Sequence, residues 1–281
     1  MTTLPPRAGR EAELAILAHP PRSHIIQSRD IRIDAPPEHG GAETYRLFIA
    51  RPRLAVPGGY PALYMLDGNA AFDFLTGALL EAHPGLAVVG IGYATGQQFA
   101  RASRIRDYSP PASLGAALLP DPHHPARLAG GAENFLPRLV GPLRDAAEAG
   151  LPVDPARRTL WGHSFGGLFS LFAAATAPQS FARYAMISPS IWWNEAIARD
   201  LVDKTGFAAS TPIYFAVGDR EKRGNDPGPE PTAPPAATLA LRDALARRPG
   251  VDLRAEIFSG AIHIASLPAS LPRTLELAGH G

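Results

Sequence analysis

Seven consecutive residues, Trp161-Gly162-His163-Ser164-Phe165-Gly166-Gly167, constrain this chain more than any other stretch. They lie between a short apolar run, Thr159-Leu160-Trp161, and the helix-forming residues 168–175, so the local order reads strand, tight turn, helix. Glycines two before and two after the serine fit a turn so sharp that side chains there would collide, with the serine itself in a strained backbone conformation. Such strain lifts the hydroxyl clear of the sheet. The motif requires a strand ending at the turn and nominates Ser164 as a nucleophile.

The rest of the chain supplies the sheet. Residues 24–35 alternate through Ile25, Gln27, Ile31 and Ile33, and residues 44–50 through Tyr45, Leu47 and Ile49, which predicts two antiparallel strands. Residues 61–66 and 86–92 are continuous apolar runs separated by helical spacing over 70–82. Continuous apolar strands alternating with helices indicate a mostly parallel sheet covered on both faces. Further strands are expected at 158–161, 184–187, 212–217 and 253–258, and helices at 132–149 and 239–247. Residues 93–130 show almost no periodicity and read as a long functional or disordered loop. Residues 222–235, rich in Pro and Gly, read as a surface loop.

Length and composition narrow the class. A chain of 281 residues with 46% hydrophobic content and no charge-rich linker reads as an N-terminal arm, 1–22, loosely attached with one short helix, and a single α/β domain, 23–281. A net charge of +1, from 27 basic and 26 acidic residues, gives no reason to expect nucleic acid. The absence of cysteine removes disulfides, thiolate catalysis and cysteine-ligated metal sites. No signal-like segment opens the chain, and no run approaches the roughly 18 apolar residues of a membrane span. A cytoplasmic protein is expected, or a periplasmic one if a leader has been removed. His123 and His124 resemble a metal pair only superficially, since adjacent side chains diverge and no carboxylate stands at ligand spacing. No metal or cofactor is expected, and the partner should be a small molecule.

Serine needs a base within hydrogen-bond reach and a third group to orient that base. Loops after parallel strands emerge together at the carboxyl edge of the sheet. Three of them carry Ser164, then Asp219 and Glu221, then His263, and the order Ser, acid, His is that of the α/β-hydrolase triad. Both acids follow the same strand. Glu221 is favoured because, farther into the loop, it has room to turn back toward His263. An oxyanion hole needs two backbone donors: Phe165, as the residue after the nucleophile, supplies one, and Asp67-Gly68-Asn69 should supply the other through the Asn69 amide.

With these motifs in place, the chain resembles the putative-esterase family of α/β-hydrolases, and most closely the trilactone siderophore esterases that cut enterobactin-like ferric catecholates. The matching stretches are Tyr64-Met65-Leu66-Asp67-Gly68-Asn69, Val89-Gly90-Ile91-Gly92-Tyr93, Arg104-Ile105-Arg106-Asp107-Tyr108-Ser109-Pro110, Gly130-Gly131-Ala132-Glu133-Asn134-Phe135-Leu136, the serine turn, and Ser188-Pro189-Ser190-Ile191-Trp192-Trp193. The resemblance implies an α/β-hydrolase fold, Ser164 as nucleophile, His263 as base, and Asn69 and Phe165 amides as oxyanion donors. It also implies an arginine from the Arg104–Arg106 stretch at the substrate, where a guanidinium would meet an anionic catecholate. In the alternative, Arg104 or Arg106 pairs with a nearby carboxylate and fixes the loop. Trp192 and Trp193 are candidates to wall a site for aromatic rings, with at least one of them in the core. The expectation is a serine ester hydrolase acting on a trilactone catecholate siderophore, ferric or iron-free. A general carboxylesterase or acyltransferase, and an inactive binding protein for an anionic aromatic ligand, are the other readings.

Overall fold

The structure is a computed structural model that describes residues 9–204, 206–207, 210–222 and 228–280. A helix of one turn, α1 (Ala15–Ala18), precedes a hairpin of β1 (His24–Ile33) and β2 (Glu43–Pro52). Strand β3 (Tyr60–Leu66) and strand β4 (Ala87–Tyr93) are buried at every position, as continuous apolar runs dictate. Between them the single helix expected over 70–82 is two, α2 (Gly68–Phe74) and α3 (Gly77–Glu81). Leu75 is extended, and Thr76 starts the second helix by accepting the Leu79 N–H on its hydroxyl.

The stretch 93–130 is more ordered than its lack of periodicity predicted. It contains α4 (Arg101–Tyr108) and a small hairpin of β5 (Leu119–Asp121) and β6 (His124–Ala129). Helix α4 buries Arg104 and Asp107 together with Ile105 and Tyr108, so its inward face is half charged and leaves no apolar period to read. The helix expected over 132–149 is broken into α5 (Ala132–Arg138) and α6 (Arg144–Glu148), because Gly141, just before Pro142, leaves helical geometry at φ −110° and ψ −108°.

Strand β7 (Val153–His163) enters the serine turn, and α7 (Phe165–Thr176) leaves it with only its last residue short of full burial. Then come β8 (Arg183–Ile187), α8 (Glu195–Lys204), β9 (Thr211–Gly218), α9 (Ala236–Ala246), β10 (Val251–Phe258) and α10 (Ser266–Gly279). Sequence reading did not anticipate α10. Leu267, Leu271 and Leu275 stand four apart and are buried on one face, but Pro272 interrupts the pattern. Of the expected surface loop 222–235, residues 223–227 lie outside the described residues, as do residues 1–8 of the arm. The rest of the arm is fastened, not loose: the Asp73 carboxylate accepts the N–H groups of Glu13 and Leu14, and Gln98 N–H donates to the Arg10 carbonyl.

Eight strands form the main sheet in the order β1-β2-β4-β3-β7-β8-β9-β10, antiparallel at β1-β2-β4 and parallel from β4 to β10. One apolar cluster packs α5, α7 and α8 against one face, and a second packs α2 and α10 against the other. No helix among the described residues is long and apolar enough to cross a membrane. The backbone approach is very tight at the serine turn, where a Cβ on Gly162 would lie 2.1 Å from the Gly166 carbonyl oxygen. Gly162→Ala is therefore expected to cost about 3 kcal/mol or more. Urea unfolding measures it, and a loss below 1 kcal/mol would contradict this packing.

Candidate active site

Ser164 has φ 62° and ψ −118°, a conformation that non-glycine residues hold only under external restraint. The restraint is visible. The Ser164 N–H donates to the Ile187 carbonyl at 2.9 Å, its carbonyl accepts Leu168 N–H at 3.0 Å, and Gly162 and Gly166 leave no room for relaxation. Ser164 Oγ lies 3.0 Å from His263 Nε2, and His263 Nδ1 is hydrogen-bonded to Glu221 Oε2. Ser164, Glu221 and His263 come from the ends of β7, β9 and β10, so the parallel sheet brings together residues 99 and 42 positions apart. Asp219 is elsewhere: its carboxylate accepts Gly260 N–H at 2.7 Å and fixes the turn after β10.

Glu221 is held from several sides. Ser188 Oγ donates to Glu221 Oε1 at 2.6 Å, and the Gly218 N–H donates to the same oxygen at 3.1 Å. Burial alone would raise the carboxyl's pKa. The hydrogen bond and charge of His263, with the Ser188 and Gly218 donors, outweigh burial and hold it below the usual carboxylate value. An ionised Glu221 requires the proton on His263 Nδ1, which leaves Nε2 to accept the Ser164 hydroxyl.

Four further residues complete the arrangement, and sequence reading gave none of them a role. The buried Ser190 places its Oγ 2.9 Å from Ser164 Oγ. Since Ser164 gives its only hydrogen to His263, Ser190 is the donor in this pair. His163 Nε2–H donates to the His263 carbonyl at 2.8 Å with its ring centroid 4.9 Å from that of His263. Burial, and then the neighbouring His263, depress its pKa well below the ordinary value, so it is a neutral donor. Ser266 Oγ is 2.6 Å from both the His263 carbonyl and Ser188 Oγ, and its one hydrogen serves one of them at a time. The only sequence signal for these serines was Ser188-Pro189-Ser190, which directly follows a strand end.

The fourth residue, Asp67, is tied to the oxyanion donors. Phe165 is the first residue of α7 and Asn69 the second of α2, so neither amide has a carbonyl partner within its helix. The Asn69 side chain accepts Tyr93 N–H at 3.0 Å and donates to the Thr95 carbonyl at 2.9 Å, which fixes its loop to the end of β4. Asp67 precedes it with φ 52° and forms a bidentate pair with Arg104, at 2.9 and 2.7 Å. The Arg104 guanidinium also lies over the rings of Phe99, Tyr108 and Phe165, at 5.2, 5.8 and 5.4 Å.

Neither arginine is free to meet a substrate. Arg104 is buried in the Asp67 pair, and Arg106 is bound to Glu43, Asp107 and the Gly40 carbonyl. Of the two expectations for this stretch, the structure has the one in which the guanidiniums fix loops. Trp193 is buried with its Nε1–H on Asp121, whereas Trp192 is half-buried with its ring edge-on to Phe165 at 5.8 Å and to His123 at 5.1 Å. Among the described residues no cluster of three His, Asp or Glu side chains could hold a metal ion.

Comparison with known proteins agrees with this geometry. The family described as "Putative esterase" matches residues 42–238. Ferri-bacillibactin esterase BesA of Bacillus subtilis is 34% identical over 264 residues, covering 84% of this chain and 85% of the relative. The apo-salmochelin esterase of Escherichia coli is 40% identical over 156 residues, covering 54% of this chain and 48% of the relative. Among solved structures, the enterobactin and salmochelin hydrolase IroE aligns with TM-score 0.74 and 26% identity over 95% of this chain and 100% of that one. The sheet is that of an α/β-hydrolase.

Breaking the Asp67–Arg104 pair from one side would strand a buried charge. Arg104→Ala is expected to destabilise the fold by about 3–5 kcal/mol. Chemical denaturation tests this, and a change under 1 kcal/mol would show that the pair does not anchor the loop.

Proposed function

The chain belongs to the putative-esterase family, and from that premise we propose that it hydrolyses the ester bonds of a trilactone catecholate siderophore through an acyl-enzyme on Ser164. It is a serine ester hydrolase. The observation that carries the reading is the line Ser164 Oγ, His263, Glu221, with 3.0 Å between the hydroxyl and the imidazole and a carboxylate behind it.

In this mechanism His263 Nε2 takes the Ser164 proton as Oγ attacks the ester carbonyl carbon. The carbonyl oxygen becomes an anion facing the Phe165 and Asn69 amides, and each such donor is worth about 3 kcal/mol in the transition state. Glu221 stabilises the imidazolium that forms. Collapse of the intermediate breaks the ester C–O bond, and His263 returns the proton to the leaving alcohol. Water then attacks the acyl-enzyme with the same proton relay and releases the acid. The Ser190 hydroxyl, donating to Ser164 Oγ, stabilises negative charge on that oxygen as its proton departs.

Support for the substrate comes from the relatives, whose names specify ferri-bacillibactin, salmochelin and enterobactin. Trp192, half-buried beside Phe165, offers an aromatic wall at the nucleophile for a catechol ring. With Arg104 and Arg106 held by carboxylates, ring contact is the better supported basis for recognition than a direct guanidinium pair.

Incubation with ferric and iron-free enterobactin, followed by mass analysis of the products, tests this proposal. Linear or shorter fragments are expected from one or both forms, and intact trilactone in both would remove the substrate. Ser164→Ala should abolish turnover. Glu221→Gln should lower kcat by about 10²- to 10⁴-fold because it disturbs the imidazole tautomer, while Asp219→Asn changes it less than about threefold. The reverse ranking of the two acid variants would overturn the assignment of Glu221.

A further inference from the structure

The main sheet ends at β10, which is bonded on one side only, to β9. The Gly250 and Phe258 carbonyls accept the Thr211 and Asp219 N–H groups from that neighbour, so the even-numbered residues of the strand turn their backbone polar groups inward. The odd-numbered residues Leu253, Ala255 and Ile257 therefore present N–H and C=O at the outer edge, and among the described residues nothing is hydrogen-bonded to them there. Ala255 is exposed and Ile257 is 47% exposed, which leaves that edge open. Edge strands are usually protected by proline, a bulge or lysine side chains. Strand β10 carries no proline or lysine and pairs with β9 without a break in register.

Side chains alternate across the strand. Val251 and Leu253 pack into the apolar cluster on the α9 side, so Asp252, Arg254 and Glu256 stand in a row on the opposite face. Helix α10 packs over β3, β7, β8 and β9 on that face, and all three charged residues of β10 are exposed beside it. Among the described residues neither Asp252 nor Arg254 has an ion-pair partner, and Glu256 accepts the Tyr214 hydroxyl on one oxygen. The row reads negative, positive, negative. A copy of the strand running antiparallel matches opposite charges only in particular registers.

We propose that the free edge of β10 pairs antiparallel with β10 of a second copy of this chain, about a two-fold axis at Ala255, so that the two eight-stranded sheets become one. In that register Ala255 faces Ala255 of the second copy and Leu253 faces its Ile257, all with outward backbone groups, so these pairs exchange N–H and C=O bonds. Arg254 and Glu256 then stand opposite each other twice, once on each side of the axis, at the non-hydrogen-bonded positions where Cα atoms approach to about 4.5 Å. Opposite charges directly across two strands attract, and like charges repel. An axis at Arg254 would instead set that guanidinium against itself and Asp252 against Glu256, and an axis at Glu256 would set that carboxylate against itself. An axis at Leu253 pairs Asp252 with Arg254 but leaves Ile257 and Phe258 opposite the turn before the strand. The other edge strand, β1, has its charges committed already, Asp30 to Arg46 and Arg32 to Asp34. Because the copies run antiparallel, the carboxyl edges of their sheets open in opposite directions and neither triad is covered. Pairing also braces the strand that leads to His263, so the thermal midpoint rises with protein concentration.

The test is sedimentation of the full chain from about 1 µM to about 1 mM, a span that covers weak and moderate self-association. A monomer–dimer equilibrium without larger species is expected, and hydrogen exchange at the Leu253, Ala255 and Ile257 amides should slow as the dimer forms. Ala255→Pro removes an N–H that faces solvent in the monomer, a change that edge strands tolerate, and should sediment as a folded monomer with unchanged nitrophenyl acetate turnover. Arg254→Glu and Glu256→Arg should each weaken the dimer by about tenfold or more, since each sets like charges opposite one another twice. Mixing these two variants in equal amounts should restore a dimer with one chain of each kind, because every pair across the axis is then of opposite sign. If Ala255→Pro does not fold, the charge variants and their mixture carry the comparison. A parent chain that stays monomeric at every concentration would leave this edge to some other partner and overturn the proposal. A dimer that either charge variant leaves intact, or a mixture that associates no better than its components, would also overturn it.

Discussion

The backbone of Ser164 is held at a positive φ between two glycines whose main chains touch, and the rest of the molecule is arranged to sustain that strain. A side chain at residue 162 would meet the backbone of residue 166, so strand β7 can turn into α7 only with hydrogen there. The turn in turn needs anchors on both sides. It finds them in the buried helix α7 and in the Ile187 carbonyl of the neighbouring strand, which accepts the Ser164 N–H. Because the sheet is parallel from β4 to β10, the ends of β9 and β10 emerge on the same edge as this turn. An acid and a base from distant parts of the chain therefore arrive beside the hydroxyl without any long loop to order.

A second layer of contacts fixes the loops against each other. Arg104 joins the Asp67 loop of one oxyanion donor to the Phe165 ring of the other, by a bidentate ion pair on one side and a ring contact on the other. Breaking that pair from one side leaves a buried charge, and this gives the loop positions a steep energetic penalty for drift. Ser188 and Ser266 do a similar service between the Glu221 carboxylate and the His263 carbonyl, and His163 braces that same carbonyl from the elbow. The base is thus fixed through its ring by Glu221 and through its backbone carbonyl by His163, with Ser266 sharing its one hydrogen between that carbonyl and Ser188. Preorganisation of this kind removes reorganisation from the reaction itself.

Much of this was legible in the sequence where the information is local or periodic. The elbow could be read because steric exclusion demands glycine within two residues of the serine, and the strands because both faces of a parallel sheet are apolar. The order Ser164, Glu221, His263 followed from strand-end placement, and the choice of Glu221 over Asp219 from reach into the loop. What stayed hidden was polar burial. An arginine of the 104–106 stretch could be read as a substrate contact or as a loop anchor, but its partner Asp67, 37 positions away, could not be named before the fold pairs them, and α4 had no apolar stripe for the same reason. Ser188, Ser190 and Ser266 are small residues whose contribution lies wholly in where the backbone puts them. Helix α10 has its leucines at helical spacing, with Pro272 set among them.

The central claim is that Ser164 is the one hydroxyl activated for attack. Its most direct measurement is stoichiometric labelling with diisopropyl fluorophosphate, with the adduct located by peptide mass analysis while residual ester turnover is followed. One adduct per chain on the peptide carrying Ser164, with turnover falling in proportion to labelling, is the predicted result. Turnover that persists in fully labelled protein, or an adduct placed on another residue, would contradict it.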